Sequence, residues 1–208
     1  SLEQTIADQK KNFEAKDPGI ARELDFSKYL KTKQITAISG VRRSGKSTLL
    51  KQLSAHFPDF YYITFDDERL INFTVDDFSN LMLAFKKSRQ ANVIFMDEVQ
   101  NVTGWERFAR RLYEEGYKIF ITGSNAKLLS SELATHLTGR YFKIELYPFS
   151  FKEFLIFKNV NIADNSSAGQ ATLLKNFDEY LTGGGFPEAV KYQEKEYLKR
   201  IYEDVLYK

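Results

Sequence analysis

The chain has 208 residues, 43% of them hydrophobic and 28% charged, a balance that suits a globular domain and excludes a disordered one. Its 30 basic and 28 acidic residues leave a net charge of +2, so it carries neither a basic arm nor an acidic tail. With no cysteine and only His56 and His136, disulfides, thiolate metal sites, a cysteine nucleophile and a poly-histidine metal centre are excluded together.

The lack of cysteine suits a reducing compartment, and a cytoplasmic location is the expectation. No apolar run approaches the ~18 residues of a membrane span, and residues 1–17 are polar with no signal-peptide centre, so no membrane partner is expected. The chain opens on Ser1 and closes in a helical pattern without a stop signal, as a piece of a longer protein would.

In chain order, residues 1–17 read as a frayed polar tail, and the tail is extended to 19. Asp17-Pro18 is a helix-start pair, which predicts a helix over 20–30. A short β-branched strand follows at 35–39, then a helix over 47–56 with Leu49, Leu50 and Leu53 on one side. The aromatic run at 60–65 is a strand. Thr74 and Asp77 form a capping-box pattern opening a helix over 74–87. Residues 93–96 are a continuous apolar strand. Thr103 and Glu106 make a second capping-box pattern, followed by Trp105, Phe108, Ala109, Leu112 and Tyr113 at helical spacing. Strands at 117–122 and 141–146 complete the alternation, and Ser150 with Glu153 caps one more short helix. Strands separated by helices predict an α/β fold, a parallel sheet covered on both faces. Beyond 159 the pattern changes to a polar loop at 161–169, a helix over 171–181, a break at Gly183-Gly184-Gly185 and helix again over 187–208. The predicted organisation is a tail (1–19), a core (20–159) and an α-helical part (160–208).

Gly40-Val41-Arg42-Arg43-Ser44-Gly45-Lys46-Ser47 matches G-x-x-x-x-G-K-[ST], between a predicted strand and a predicted helix. Glycines let successive N–H groups turn toward phosphate oxygens. Lys46 adds a point charge for the β and γ phosphates, Ser47 a hydroxyl for Mg²⁺, and the helix led by Thr48 its positive dipole end. A nucleoside triphosphatase also needs an acid at the end of a neighbouring buried strand. Asp97 stands there to orient the metal, and Glu98 follows as the general base that polarises the attacking water. After the strand at 117–122, Ser124 or Asn125 offers a polar group to sense the γ phosphate or hold that water; both residue types also suit a helix cap. Gly139-Arg140 precedes the last strand, and Arg140 suits either a charge-stabilising role or a turn at the surface. Arg42 and Arg43 suit phosphate, a neighbouring subunit or solvent. Asp66, Asp67 and Glu68 have the look of a cation cluster, though solvated carboxylates read the same way.

Together these stretches resemble the AAA+ superfamily of P-loop ATPases, in its prokaryotic, archaeal-type branch. The matching blocks are ISGVRRSGKSTLL (38–50), YITFDDERL (62–70), VIFMDEVQNVTGWE (93–106), ITGSNAKLLSSELATHLTGRYFKIELYPFSFKEF (121–154) and YLTGGGFPEAV (180–190), and the similarity spans roughly 20–208. The resemblance implies a three-layer α/β/α core whose five-stranded parallel sheet has the order 5-1-4-3-2, followed by a small α-helical part. It implies ATP with Mg²⁺, an Arg140 that senses nucleotide or reaches a neighbouring subunit of a homo-oligomer, and a further C-terminal domain with a DNA or protein partner. The function expected is an ATPase module that drives or gates an attached domain, with a nucleotide switch of little turnover as the alternative. A small-molecule kinase is disfavoured by the Asp97-Glu98 pair, and a GTPase by the lack of an Asn-Lys-x-Asp signature.

Overall fold

In the computed structural model, residues 1–124, 133–192 and 195–206 are described. Five short stretches become strands: β1 (Ile35–Ser39), β2 (Tyr61–Thr64), β3 (Val93–Asp97), β4 (Lys118–Gly123) and β5 (Tyr141–Glu145). Every pairing is parallel, and the order is β2-β3-β4-β1-β5, the predicted order read from the other edge. β1 and β3 are buried at every position, as strands covered on both faces must be. The covering helices are α1 (Leu2–Ala15), α2 (Ser27–Lys31), α3 (Lys46–Ser54), α4 (Asp77–Ser88) and α5 (Trp105–Glu114). α5 buries Trp105, Phe108, Ala109 and Leu112 together with Glu106, and leaves Arg107, Arg110, Arg111 and Glu114 exposed. Each of the large side chains there is worth about 1.5–3 kcal/mol of burial.

Residues Ser1–Pro18, Leu24–Gly40 and Lys46–Glu145 make up one compact unit. Within it, the expectation of a frayed N-terminus is overturned. α1 is a full helix, capped by the Ser1 side chain, that buries Ile6 and Phe13. Phe13 stacks on Tyr62 of β2 with ring centroids 3.9 Å apart. Gln9 donates to the Thr64 carbonyl (3.1 Å) and accepts from the Thr64 amide (2.9 Å), so its side-chain amide satisfies the exposed edge of β2. Leu2, Ile6 and Phe13 face the core, but polar Gln9 interrupts the stripe where a fourth apolar residue would mark it as periodic.

Two further expectations shift. The predicted helix over 20–30 shrinks to α2, because residues 17–26 run irregularly and spend their polar groups on tertiary partners. α5 begins after Gly104 rather than from a Thr103–Glu106 box. Gly104 has φ 82°, and a β-carbon there would lie 2.7 Å from Val75, so glycine fixes the helix entry in place of a side-chain cap. At α4 both the Thr74 amide and hydroxyl donate to Asp77, and the helix starts at Asp77, three residues later than expected.

Lys118 opens β4 with its ammonium donating to the carbonyls of Thr32 and Gln34, both at 2.9 Å. Burial pushes its pKa down to about 8. The unfolded chain titrates near 10.4. Between those values the unfolded state binds more protons, so this residue's contribution to stability rises with pH from about 8 to about 10.4, and falls as pH drops through 8. The melting temperature of wild type relative to Lys118→Met is therefore expected to rise on going from pH 7.5 to pH 10, a comparison that thermal denaturation reads directly.

Residues Gly19–Glu23, Val41–Gly45 and Leu146–Lys208 make up the second compact unit. Its helices are α6 (Phe151–Phe157), α7 (Ser167–Gly183), α8 (Pro187–Tyr192) and α9 (Lys195–Leu206). The predicted box at the start of α6 is complete, the Ser150 side chain accepting from Glu153 N–H and Glu153 accepting from Ser150 N–H. Phe149, Phe154, Leu155 and Val190 form a small core, against which Ile20, Leu173 and Tyr180 pack. The triple glycine has distinct duties. Gly184 (φ 70°) closes α7, and Gly185 lies so close to the Phe149 carbonyl that a β-carbon would come within 2.2 Å of it. Among the described residues no helix is long and apolar enough to cross a membrane.

Candidate functional site

In a parallel α/β sheet, ligands sit beyond the carboxyl ends of the strands. The residues singled out by motif gather at those ends. β1 runs into Gly40 and the loop, β3 ends at Asp97, and β4, lying between them, is followed directly by Ser124.

In the sheet-containing unit, Lys46 and Ser47 open α3, with Thr48 half-buried beside them. The Lys46 ammonium is buried and lies 3.6 Å from Glu98 Oε1. The other Glu98 oxygen, Oε2, accepts from Ser124 Oγ (2.7 Å) and Gln100 Nε2 (2.5 Å). Gln100 also donates to Ser124 Oγ at 3.2 Å. Burial acts to raise the Glu98 carboxyl, but the Lys46 charge and the Gln100 and Ser124 hydrogen bonds outweigh it and hold it below the usual range. Glu98 is therefore a carboxylate at neutral pH.

Asp97 faces a different environment. Its carboxylate accepts from Thr122 Oγ1 and from the Ser47 hydroxyl, and the Tyr62 hydroxyl stands 3.5 Å from Oδ2. It is 4% exposed, and burial pushes its pKa up against those hydrogen bonds. Thr122 also accepts from the Glu98 amide at 3.0 Å, so one hydroxyl ties the two acids together. The divergence of the pair comes from the backbone: Glu98 sits at φ 52°, ψ 49°, a left-handed conformation that turns its side chain away from the strand's alternation. A non-glycine residue held there costs on the order of 1 kcal/mol or more, and such strain concentrates at working sites.

In the second unit, Val41–Ser44 is a tight turn closed by Ser44 N–H to the Val41 carbonyl at 3.2 Å. Arg43 takes φ 65° and Gly45 φ 96°. Arg43 pairs with Glu188 of α8 at 2.6 Å, whereas Val41 and Arg42 are exposed. The Ser44 hydroxyl is buried without a hydrogen-bond partner, as is Gln100 Oε1 in the sheet-containing unit. Buried hydrogen-bonding groups without partners are rare, and each of these two suits a water or a ligand atom.

The structure thus brings Lys46, Ser47, Asp97, Glu98 and Ser124 together. Of the Ser124-or-Asn125 alternative, Ser124 donates to Glu98, and Asn125 lies outside the described residues. Arg140 is placed apart. Ile35 of β1 pairs with Tyr141, and the Ile35 amide donates to the Arg140 carbonyl, so Arg140 stands at the amino edge of the sheet. Five residues of β5 separate that edge from the carboxyl ends, about 16 Å at ~3.3 Å per residue. The acidic run at 66–68 is no cation cluster: Asp67 is bound by Arg69 and Gln9, and among the described residues no three such ligands converge. Gln100, Thr122 and Tyr62 were missed by sequence reasoning. Only the position of Gln100, two residues past Glu98, gave any hint.

The profile of the AAA domain family, AAA_14, matches residues 32–155. An uncharacterised protein of Methanocaldococcus jannaschii is 44% identical over 176 residues, covering 83% of this chain and 40% of that protein. One from Haemophilus influenzae is 42% identical over 171 residues, covering 77% of this chain and 41% of its own. The chain thus spans about two fifths of the length of these relatives. Among solved structures, PCH-2 of C. elegans superposes with a TM-score of 0.53 at 10% identity, covering 98% of this chain and 66% of that one, a likeness of fold.

Proposed function

The chain belongs to the AAA domain family, and on that premise we propose that it is a Mg²⁺-dependent ATPase module that hydrolyses ATP to ADP and phosphate. The observation that carries this reading is the grouping of a buried ammonium, a hydrogen-bonded Ser47–Asp97 pair and an ionised Glu98 at the carboxyl ends of β1, β3 and β4.

The main-chain N–H groups of Gly40, Val41, Arg42, Arg43, Ser44 and Gly45 surround the phosphates, and Lys46 neutralises charge on the β and γ groups. Ser47 and Asp97, already hydrogen-bonded to each other, are the residues that would hold Mg²⁺. When bound, the ion offsets charge on the triphosphate oxygens. Phosphate draws Lys46 away from Glu98 and leaves Oε1 free to accept from water. The water oxygen bonds to the γ phosphorus, the bond to the β–γ bridging oxygen breaks, and the water proton passes to Glu98 and on to solvent. Ser124 and Gln100 hold the other carboxylate oxygen, which keeps Glu98 aimed.

Arg140 stands at the opposite rim of the sheet from its own chain's site, the length of β5, about 16 Å, away from the carboxyl rim, so its charge serves a neighbouring copy in a homo-oligomer. The further length of the relatives supports a role in driving or gating an attached domain, with DNA or protein as its partner. A nucleotide switch with little turnover draws support from one feature, that both Glu98 oxygens are already engaged.

Phosphate release from ATP across a range of protein concentrations tests these roles. Wild type is expected to release phosphate only with Mg²⁺, at a specific rate that climbs with concentration. Arg140→Ala should flatten that climb. No release at any concentration sinks the ATPase; a flat wild-type profile sinks the assignment of Arg140 to a neighbour's site.

A further inference from the structure

The irregular segment Gly19–Glu23 delivers one side chain, Arg22, to the back of the phosphate loop. The Arg22 guanidinium donates from Nη1 to the Ser44 carbonyl (3.0 Å), from Nη2 to the Tyr147 carbonyl (2.7 Å) and from Nε to Glu153 Oε1 (2.8 Å). It also lies over the Phe149 ring, 5.2 Å from the centroid. The Arg22 and Glu153 side chains are 8% and 5% exposed. Glu153 is itself immobilised, because Oε1 also accepts from the Glu23 amide and Oε2 from the Ser150 amide, both at 2.9 Å.

A planar trans peptide points its C=O and the next N–H in opposite directions. Holding the Ser44 carbonyl outward therefore fixes the direction of the Gly45 N–H on the far side of the same peptide. Gly45, at φ 96°, has no side chain to fix it otherwise, and a β-carbon there would lie 3.5 Å from Arg22 Nη1. Few other residues could do this work. A lysine ammonium is a point donor, whereas the guanidinium is a rigid fork that reaches three acceptors in one plane.

We propose that Arg22, braced by Glu153, is a positioning residue for the phosphate loop, aiming the Ser44–Gly45 peptide so that the Gly45 N–H meets a phosphate oxygen. This inference rests on the nucleotide-binding reading above. It assigns the segment before β1 a part in anion binding that the loop motif alone does not contain. A buried ion pair as such is weak evidence for more than packing, so the test separates aim from stability.

Affinities for Mg-ATP, Mg-ADP and inorganic pyrophosphate are measured by calorimetry on wild type, Arg22→Lys, Arg22→Ala and Phe85→Leu. The last is a core change in α4, where buried Phe85 stacks on Tyr61 at the amino end of β2. Measurements are made well below the lowest melting temperature. Both Arg22 variants are expected to bind all three ligands at least 10-fold more weakly, with Phe85→Leu near wild type. Arg22→Lys binding like wild type, or Phe85→Leu losing as much as Arg22→Lys, overturns the positioning role while leaving nucleotide binding intact. A wild-type chain that binds neither ATP nor pyrophosphate removes the nucleotide reading and the positioning role together.

Discussion

Glu98→Gln is expected to lower ATP turnover by about 10²–10⁴-fold, the range for loss of a positioned general base, while ATP affinity stays level or rises. The amide keeps the shape of the side chain and can still meet Ser124 and Gln100. It can no longer take a proton, and it no longer places a negative charge beside the triphosphate. In the nucleotide-free protein the Lys46 charge and two hydrogen bonds hold Glu98 ionised against burial. Single-turnover phosphate release, set beside equilibrium binding, reads both halves. A variant that hydrolyses ATP at the wild-type rate would refute the assignment of Glu98 as base. A wild type as slow as the variant would favour the switch reading.

Lys46→Ala should cut ATP binding by about 100-fold or more, since charge-assisted hydrogen bonds contribute roughly 1.5–3 kcal/mol apiece and more than one phosphate oxygen is involved. A second effect follows from the 3.6 Å contact with Glu98. Without the ammonium, burial acts on Glu98 unopposed by its main charge partner, and the carboxyl titrates higher than in wild type. Binding of a fluorescent ATP analogue checks the first effect. Equal affinity in wild type and variant would overturn the phosphate role of Lys46.

The sheet was legible in the sequence because its central strands are covered on both faces and so are apolar without alternation; 35–39 and 93–96 needed no helix-or-strand arbitration. The core of the site was legible because its residues are adjacent in the chain: a glycine loop running into Lys46-Ser47, and two acids in succession. What stayed hidden depends on partners distant in sequence. Gln100 and Thr122 are ordinary residue types whose roles arise only when β3 and β4 pair. Arg22 meets Glu153 across more than a hundred residues. α1 was unreadable because a helix docked on three apolar anchors, with a buried glutamine between two of them, looks like a polar tail. The distance of Arg140 from the acids, by contrast, follows from its place ahead of a parallel strand, since residues before and after such strands lie on opposite rims.

The left-handed backbone at Glu98 sets stability and chemistry against each other at a single residue. Glycine or asparagine would adopt that conformation with less strain than glutamate. Breeding this protein for heat tolerance alone would thus favour, at position 98, the very replacements that silence it, and any thermostabilised descendant should be checked there first.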